Sequence, residues 1–295
     1  MMNRIYMLTV LAALSVLFFS FKNKSPKLLI GGSGWNKIAI LDKETKKIEW
    51  EYPLEKGWEC NSVAVTKQGD VLFSYSKGAK LITRDKKEIW NVTAPEGAEM
   101  QTAKVLPNGN FLLAWCGRPA TILEVDKKGK IIRKTEYETG VEQVHAQFRQ
   151  VSKNKKGNYL IPVFATSDVR EVSPQGKLIK TVKVPGNPFS TVTLRNGNLL
   201  VACGDAHQYI ELDFEKEKIV CVVEEKQIEG APLSFVAELF PVDGGGLFIC
   251  NWQGHNREQA EGTPKLIEVD KNGKMIWSLT GYQETGMISA IYPFN

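Results

Sequence analysis

Leu106-Pro107-Asn108-Gly109-Asn110-Phe111-Leu112-Leu113, followed by Asp126-Lys127-Lys128-Gly129-Lys130-Ile131-Ile132, is the stretch on which the fold turns. An Asn-Gly turn enters an apolar strand, and a charged turn then enters a second strand. Asn-Gly pairs supply the positive φ angles that tight hairpins demand. The same pair of hairpins recurs along the chain. Gly69-Asp70 leads into Val71-Leu72-Phe73 and Asp85-Lys86-Lys87 into Ile89-Trp90. Gly157-Asn158 leads into Tyr159-Leu160-Ile161, Asn196-Gly197-Asn198 into Leu199-Leu200-Val201, and Gly244-Gly245-Gly246 into Leu247-Phe248-Ile249. Gly69, Gly109, Gly157 and Gly197 are spaced by 40, 48 and 40 residues. Periods of about 40–50 residues with four short strands each are the signature of a β-propeller.

Five full units fall inside the chain, and a sixth is split between its ends. Lys27-Leu28-Leu29-Ile30, Lys37 to Asp42 and Ile48-Glu49-Trp50 supply three strands. Ala290-Ile291-Tyr292-Pro293-Phe294-Asn295 matches the Ala103 to Asn108 segment and supplies the fourth. The expected fold is therefore all-β: a six-bladed β-propeller of four-stranded blades spanning 25–295, its ring closed by the C-terminal strand. Closure removes the open edges that a partial ring would expose.

Residues 1–24 read differently. Arg4 precedes an apolar run from Ile5 to Phe21, and Lys22-Asn23-Lys24 ends it. This pattern is that of a secretory signal or an uncleaved N-terminal anchor. The propeller is then expected outside the cytoplasm, periplasmic or extracellular, touching a membrane only through that segment. The net charge of +5 is spread over hairpin turns, with no basic stripe interleaved with aromatics, so a nucleic-acid partner is not expected. The five cysteines, Cys60, Cys116, Cys203, Cys221 and Cys250, are an odd number in a domain large enough to stand without disulfides; most are read as free and buried.

The two ends of the propeller differ. The turns quoted above are short and charged and lie on one face. The other face carries Gly34-Trp35-Asn36, Trp58-Glu59-Cys60-Asn61, Trp115-Cys116-Gly117-Arg118, Glu142-Gln143-Val144-His145, Cys203-Gly204-Asp205-Ala206-His207 and Asn251-Trp252-Gln253-Gly254-His255-Asn256-Arg257. All three histidines and four of the seven tryptophans fall there. Trp50, Trp90 and Trp277 share one place in the outer strand and are read as packing between blades. Aromatic plates with a few convergent polar groups suit a small polar ligand such as a sugar or an aryl compound. Trp35, Trp58, Trp115 and Trp252 are the expected plates, with Asp205 and Arg257 giving polar specificity. His145, His207, His255 and Arg118 are the candidates for chemistry, since imidazole titrates near neutrality and a guanidinium holds an anion through paired N–H donors. Arg149 is a further candidate for that anion. The spacings Cys203–His207 and Cys250–His255 offer zinc-type ligands, but both cysteines continue apolar strands, and no metal is expected. Glu59, Glu99, Glu142 and Asp205 have no spacing that singles out a carboxylate pair. Gly31-Gly32-Ser33-Gly34 opens no helix and so is no phosphate loop.

Asp42 to Trp50, Asp85 to Trp90 and Asp270 to Trp277 resemble the quinoprotein (PQQ-like) propeller repeat, in which a strand ends in Asp and the next ends in Trp. Quinone-dependent dehydrogenases of this kind have eight blades where this chain has room for six, so no cofactor is expected. Asn61-Ser62-Val63 before Gly69-Asp70, together with Leu106-Pro107-Asn108-Gly109-Asn110, is similar to the blades of bacterial arylsulfotransferases. That resemblance implies an exported six-bladed enzyme with a histidine nucleophile before an inner strand, the place where His145 stands. Three functions are thus carried forward: a small-ligand binder, an arylsulfotransferase-like enzyme, and a protein-interaction scaffold.

Overall fold

The computed structural model describes residues 25–255, 262–281 and 285–295. The expected signal or anchor segment, 1–24, lies outside them. The first blade contributes β1 (Lys27–Ser33), β2 (Lys37–Asp42) and β3 (Ile48–Pro53). The second holds β4 (Val63–Val65), β5 (Val71–Tyr75), β6 (Gly78–Ile82) and β7 (Glu88–Thr93). The third holds β8 (Glu99–Val105), β9 (Phe111–Cys116), β10 (Ala120–Val125) and β11 (Ile131–Tyr137). A 3-10 turn at Val144–Ala146 precedes the fourth, made of β12 (Ser152–Lys153), β13 (Tyr159–Val163), β14 (Asp168–Val172) and β15 (Leu178–Lys183). The fifth holds β16 (Thr191–Thr193), β17 (Leu199–Ala202), β18 (Tyr209–Asp213) and β19 (Lys218–Val223). The sixth holds β20 (Phe235–Pro241), β21 (Leu247–Trp252), β22 (Leu266–Val269) and β23 (Met275–Leu279). The last strand, β24 (Met287–Phe294), returns to pair with β1, so the first sheet runs β24-β1-β2-β3. The ring has six four-stranded antiparallel blades and is closed by the C-terminal strand, as the repeat predicts.

The turn chemistry is visible at the two hairpins of the third blade. Asn108 Oδ1 accepts the Asn110 N–H at 3.0 Å while Gly109 takes φ +81°. Asp126 Oδ1 accepts the N–H groups of Lys128 and Lys130, both at 2.9 Å. These side chains stand in for backbone partners that the turn removes, which is why Asn or Asp leads and Gly follows. Between the third and fourth strands of every blade the register slips by one residue, at Leu41, Ile82, Val125, Val172, Leu212 and Val269. The residue just beyond that bulge faces the neighbouring blade. It is Trp50, Trp90 and Trp277 in three blades, and the two of these with partners reach the next blade's turn. Trp50 Nε1 donates to Arg84 O at 2.8 Å and Trp277 Nε1 to Lys43 O at 2.9 Å. Trp90 instead lies flat on Gly129, where a Cβ would sit 2.8 Å from the indole.

Around the axis the inner strands of neighbouring blades belong to separate sheets, joined by an isolated bridge between Gln150 and Ser190, and polar side chains link them further. Ser62 Oγ donates to Ala103 O at 2.9 Å, Thr102 Oγ1 to Arg149 O at 2.8 Å, and Ser190 Oγ to Ala237 O at 2.9 Å. In the sixth blade Glu238 Oε2 accepts the Ile291 N–H of the closing strand at 2.8 Å. A buried polar group is tolerated only when it is paired, and each of these also ties one blade to the next. The apolar core lies between blades, in the second and third strands, where Leu28, Ile30, Phe73, Phe248 and their neighbours are fully or almost fully buried.

Candidate axial site

One end of the axis opens into a cavity of about 80 Å³ lined by Ser33, Glu59, Asn61, His145, Arg149, Phe164, Phe189, Phe235, Trp252, His255 and Ser289. A second cavity of about 220 Å³ adjoins it, sharing Glu59, Asn61 and His145 and adding Ser76, Glu99 and Gln101. Together they approach the lower end of the range for small-molecule sites. Their walls are chemically distinct. Phe235 forms the hub of the aromatic wall, with Phe164 at 6.1 Å, Phe189 at 5.9 Å and Trp252 at 5.4 Å between ring centroids. Trp252 is held by its Nε1 donating to Ser33 Oγ at 2.9 Å.

The opposite wall is charged. His145 Nδ1 lies 2.7 Å from Glu99 Oε2, and Arg149 donates from Nη2 to His145 Nε2 at 2.9 Å. A guanidinium can only donate, so Nε2 is the acceptor and the imidazole proton sits on Nδ1. The hydrogen bond from His145 holds the Glu99 carboxyl below its ordinary range, helped by the charge of Arg149 and opposed by burial. Arg149 is nearly buried, stacks over Phe164 at 5.1 Å, and donates again to the carbonyls of His145 and Phe148. Asn61 donates to Gln101 Oε1 at 2.8 Å and accepts from Ser289 Oγ at 3.0 Å. The Glu59 carboxylate accepts from the Asn61 amide at 3.4 Å and lines the cavity.

His255 is built in another way. Its Nδ1 lies 2.8 Å from Asp205 Oδ1, and its ring packs edge-on against Trp252 at 4.9 Å. Its Nε2 has no partner among the described residues. A carboxylate that fixes the Nδ1–H tautomer leaves Nε2 as a base or nucleophile.

The candidates named from sequence separate clearly. His145, His255 and Trp252 reach the cavity, and Asp205 orients His255. The other three tryptophans do not line it. Trp115 is buried between blades, 7% exposed; Trp58 stacks on Tyr75 at 4.6 Å; Trp35 lies against Gly286, where a Cβ would come within 2.5 Å of the indole. Large rings at these places fill gaps between diverging blades. His207 is spent on the Ser234 carbonyl at 2.9 Å, in a turn with φ +54°. Arg118 is exposed and pairs with Glu142 at 2.7 Å, away from both cavities. Arg257 lies outside the described residues. Among the described residues no group of three or more His, Cys, Asp or Glu side chains is placed to hold a metal. All five cysteines are unpaired, and only Cys221 is exposed. Cys203, beside His207, has its thiol pushed up to about 12 by burial, the behaviour of a packing residue. Sequence reading named Glu59 and Arg149 singly, but it did not bring them together with Asn61 and Ser289 as one wall, and it missed the three phenylalanines as the other.

A six-bladed propeller with an aromatic and charged axial cavity is the class of protein that fold and site define. Residues 32–274 match the family model described as Mal s 1 allergenic protein-like, and the chain belongs to that family. It is similar to a Bacteroides caccae protein of unknown function, with 61% identity and a TM-score of 0.90 over 92% of this chain and 99% of that one. A streptogramin B lyase aligns at 12% identity, TM-score 0.60, over 92% and 88% of the two chains. A catalytically inactive variant of virginiamycin B lyase from Staphylococcus aureus, solved with quinupristin, aligns at 15% identity, TM-score 0.61, over 92% and 93%. Likeness at that identity is likeness of fold. No curated relative matches the sequence.

Proposed function

We propose that this protein works outside the cytoplasm and binds a small ligand that has a flat apolar part and a polar or anionic part, an aryl compound or a sugar, in the axial cavity. The observation that carries this reading is the meeting of an aromatic wall around Phe235 with a charged wall of Glu59, His145 and Arg149 in one solvent-reachable space. Most of a ligand's affinity would come from its flat part against Phe235 and Trp252. Orientation would come from Glu59, His255 and the Arg149–His145 pair. The apolar run from Ile5 to Phe21 supports export. Calorimetric titration with p-nitrophenyl sulfate, p-nitrophenyl glycosides and the parent sugars tests the reading. At least one should bind, and Trp252→Ala should weaken it about tenfold or more, the loss of one stacked aromatic contact. No binding by any of them, or binding indifferent to Trp252→Ala, rejects the site.

The second reading is catalytic, and the Asp205–His255 pair favours it over the scaffold. In this reading His255 Nε2 attacks the sulfur of an aryl sulfate, the S–O(aryl) bond breaks, and the phenolate leaves. His145 is the poorer nucleophile because Arg149 occupies its Nε2. Release of p-nitrophenol by the wild type and its absence in His255→Asn is the expected result. Binding without turnover leaves the binder as the function.

A further inference from the structure

The other end of the axis holds a larger space, about 500 Å³, to which all six inner strands contribute. Its walls are largely apolar, with Val63, Leu112, Leu239, Phe240 and Tyr292 among them. Two charged residues from opposite sides of the ring face into it: Lys104 on β8 in the third blade and Glu238 on β20 in the sixth. Lys104 Nζ has no hydrogen-bond or ion-pair partner among the described residues, although Glu238 is near enough to act on it by charge. The other ionisable side chains that line the space are paired or held neutral. Lys153 pairs with Glu124 at 2.6 Å, Arg195 lies exposed on the rim toward Asp243, and the Tyr292 phenol is held protonated by burial. The first strand of the second blade offers only Val63 and Ala64.

Lys104 is partly buried in this largely apolar space, and an ammonium without a partner is disfavoured there. Burial accordingly pushes the Lys104 amine below its ordinary range, opposed by the Glu238 charge, and pushes the Glu238 carboxyl up to about 7. Directly behind, the fully buried Gln150 donates to Asn61 O at 2.7 Å and leaves its Oε1 without a partner. An uncommitted amine, a carboxyl that can carry a proton and an apolar vestibule make up the equipment of an imine-forming lysine.

We propose that this vestibule is a second site, distinct from the axial site at the opposite end, in which Lys104 condenses reversibly with the carbonyl group of a small aldehyde or ketone and Glu238 shuttles the proton. The neutral amine attacks the carbonyl carbon, forming the C–N bond while Glu238 gives a proton to the oxygen. The nitrogen then loses a proton to the Glu238 carboxylate, which returns it to the hydroxyl as the C–O bond breaks. The products are the protonated imine, one water and the Glu238 carboxylate, with no oxidant or reductant consumed.

Limiting benzaldehyde with cyanoborohydride traps such an imine as a benzyl amine, and a peptide map of the intact wild-type protein locates it. Surface lysines in the same digest are the internal standard, so the result does not depend on any variant folding. Each unit by which the amine falls below the usual lysine value gives about tenfold more neutral amine at pH 7. Lys104 should therefore be labelled faster than every surface lysine. That ratio should fall as pH rises through about 7, where Glu238 ionises and its charge holds more of the Lys104 amine protonated. Lys104→Arg should remove the fast-labelling site and leave the other peptides unchanged. Labelling of Lys104 no faster than the surface lysines, or a ratio that does not change with pH, overturns the proposal.

Discussion

Gly32→Ala should cost the protein its ring closure. Gly32 stands where β1 and the closing strand β24 slip register, opposite Ile288 and next to Ser33 opposite Met287. A Cβ on Gly32 would lie 1.8 Å from Met287 O and 2.8 Å from Met287 C. These are backbone atoms that no rotamer change can move, so relief takes about 1 Å or more of strand displacement. The displacement weakens two ladder pairs, each worth about 1 kcal/mol. It also loosens Met287 and Ile288, 2% and 0% exposed, at about 1 kcal/mol each for partial loss of their burial. The sum is about 3–4 kcal/mol, which for a chain of this size lowers the melting temperature by roughly 6 °C. The damage should also reach the site, because Ser33 holds the Trp252 indole and Gly32 O accepts the Cys60 N–H at 2.9 Å. Thermal unfolding followed by circular dichroism and by tryptophan fluorescence is the assay. Gly262→Ala is the control, since a Cβ there meets nothing within 4 Å. If Gly32→Ala melts with Gly262→Ala, strand closure through a Cβ-free contact is not what holds the ring.

Three other outcomes are expected. In the native protein a thiol reagent should modify Cys221 quickly, whereas Cys60, Cys116, Cys203 and Cys250 should react only on unfolding, since all four are buried; fast reaction of more than one thiol contradicts the packing. Trp277→Ala removes both the bond to Lys43 O and the edge-on contact with Phe248 at 6.2 Å, and should lower stability by about 2–3 kcal/mol in a denaturant titration. The raised Glu238 carboxyl makes the folded state bind more protons than the unfolded one between the ordinary glutamate value and about 7, so this group's contribution to stability falls as pH rises through that window. Glu238→Gln should therefore gain in melting temperature relative to wild type on going from pH 5 to pH 8; an unchanged difference would mean that Glu238 titrates normally.

The blades are legible in the sequence because hairpin chemistry is local. Asn108-Gly109 and Asp126 to Lys130 make their turns with their own side chains, and the outer-strand tryptophans mark one fixed place beside a bulge. The site is legible only as a face. Which residues of a loop point to the axis depends on how six inner strands converge, and their alternation is broken by bulges at Gly31/Gly32, Met100/Thr102 and Val236/Leu239. Trp35, Trp58 and Trp115 read as plates because size and aromaticity serve a ligand and a gap between blades equally well. A signal for the missed residues does exist. Each inner strand carries a polar residue in an apolar setting: Asn61-Ser62, Gln101-Thr102, Gln150, Ser190-Thr191, Glu238 and Ser289. Aligning the repeats on those positions points at the axis and at Glu238.

The axial site is the centre of this account, and the protein's three histidines make it directly observable. Nitrogen-detected imidazole spectra recorded during a titration with p-nitrophenyl sulfate follow all three rings at once. His145 and His255, which face one cavity, should shift together along a single binding curve, while His207, bonded to the Ser234 carbonyl, stays in place. Shifts confined to His207, or three rings that remain still at millimolar ligand, would contradict the claim that this end of the propeller is where a small aryl anion binds.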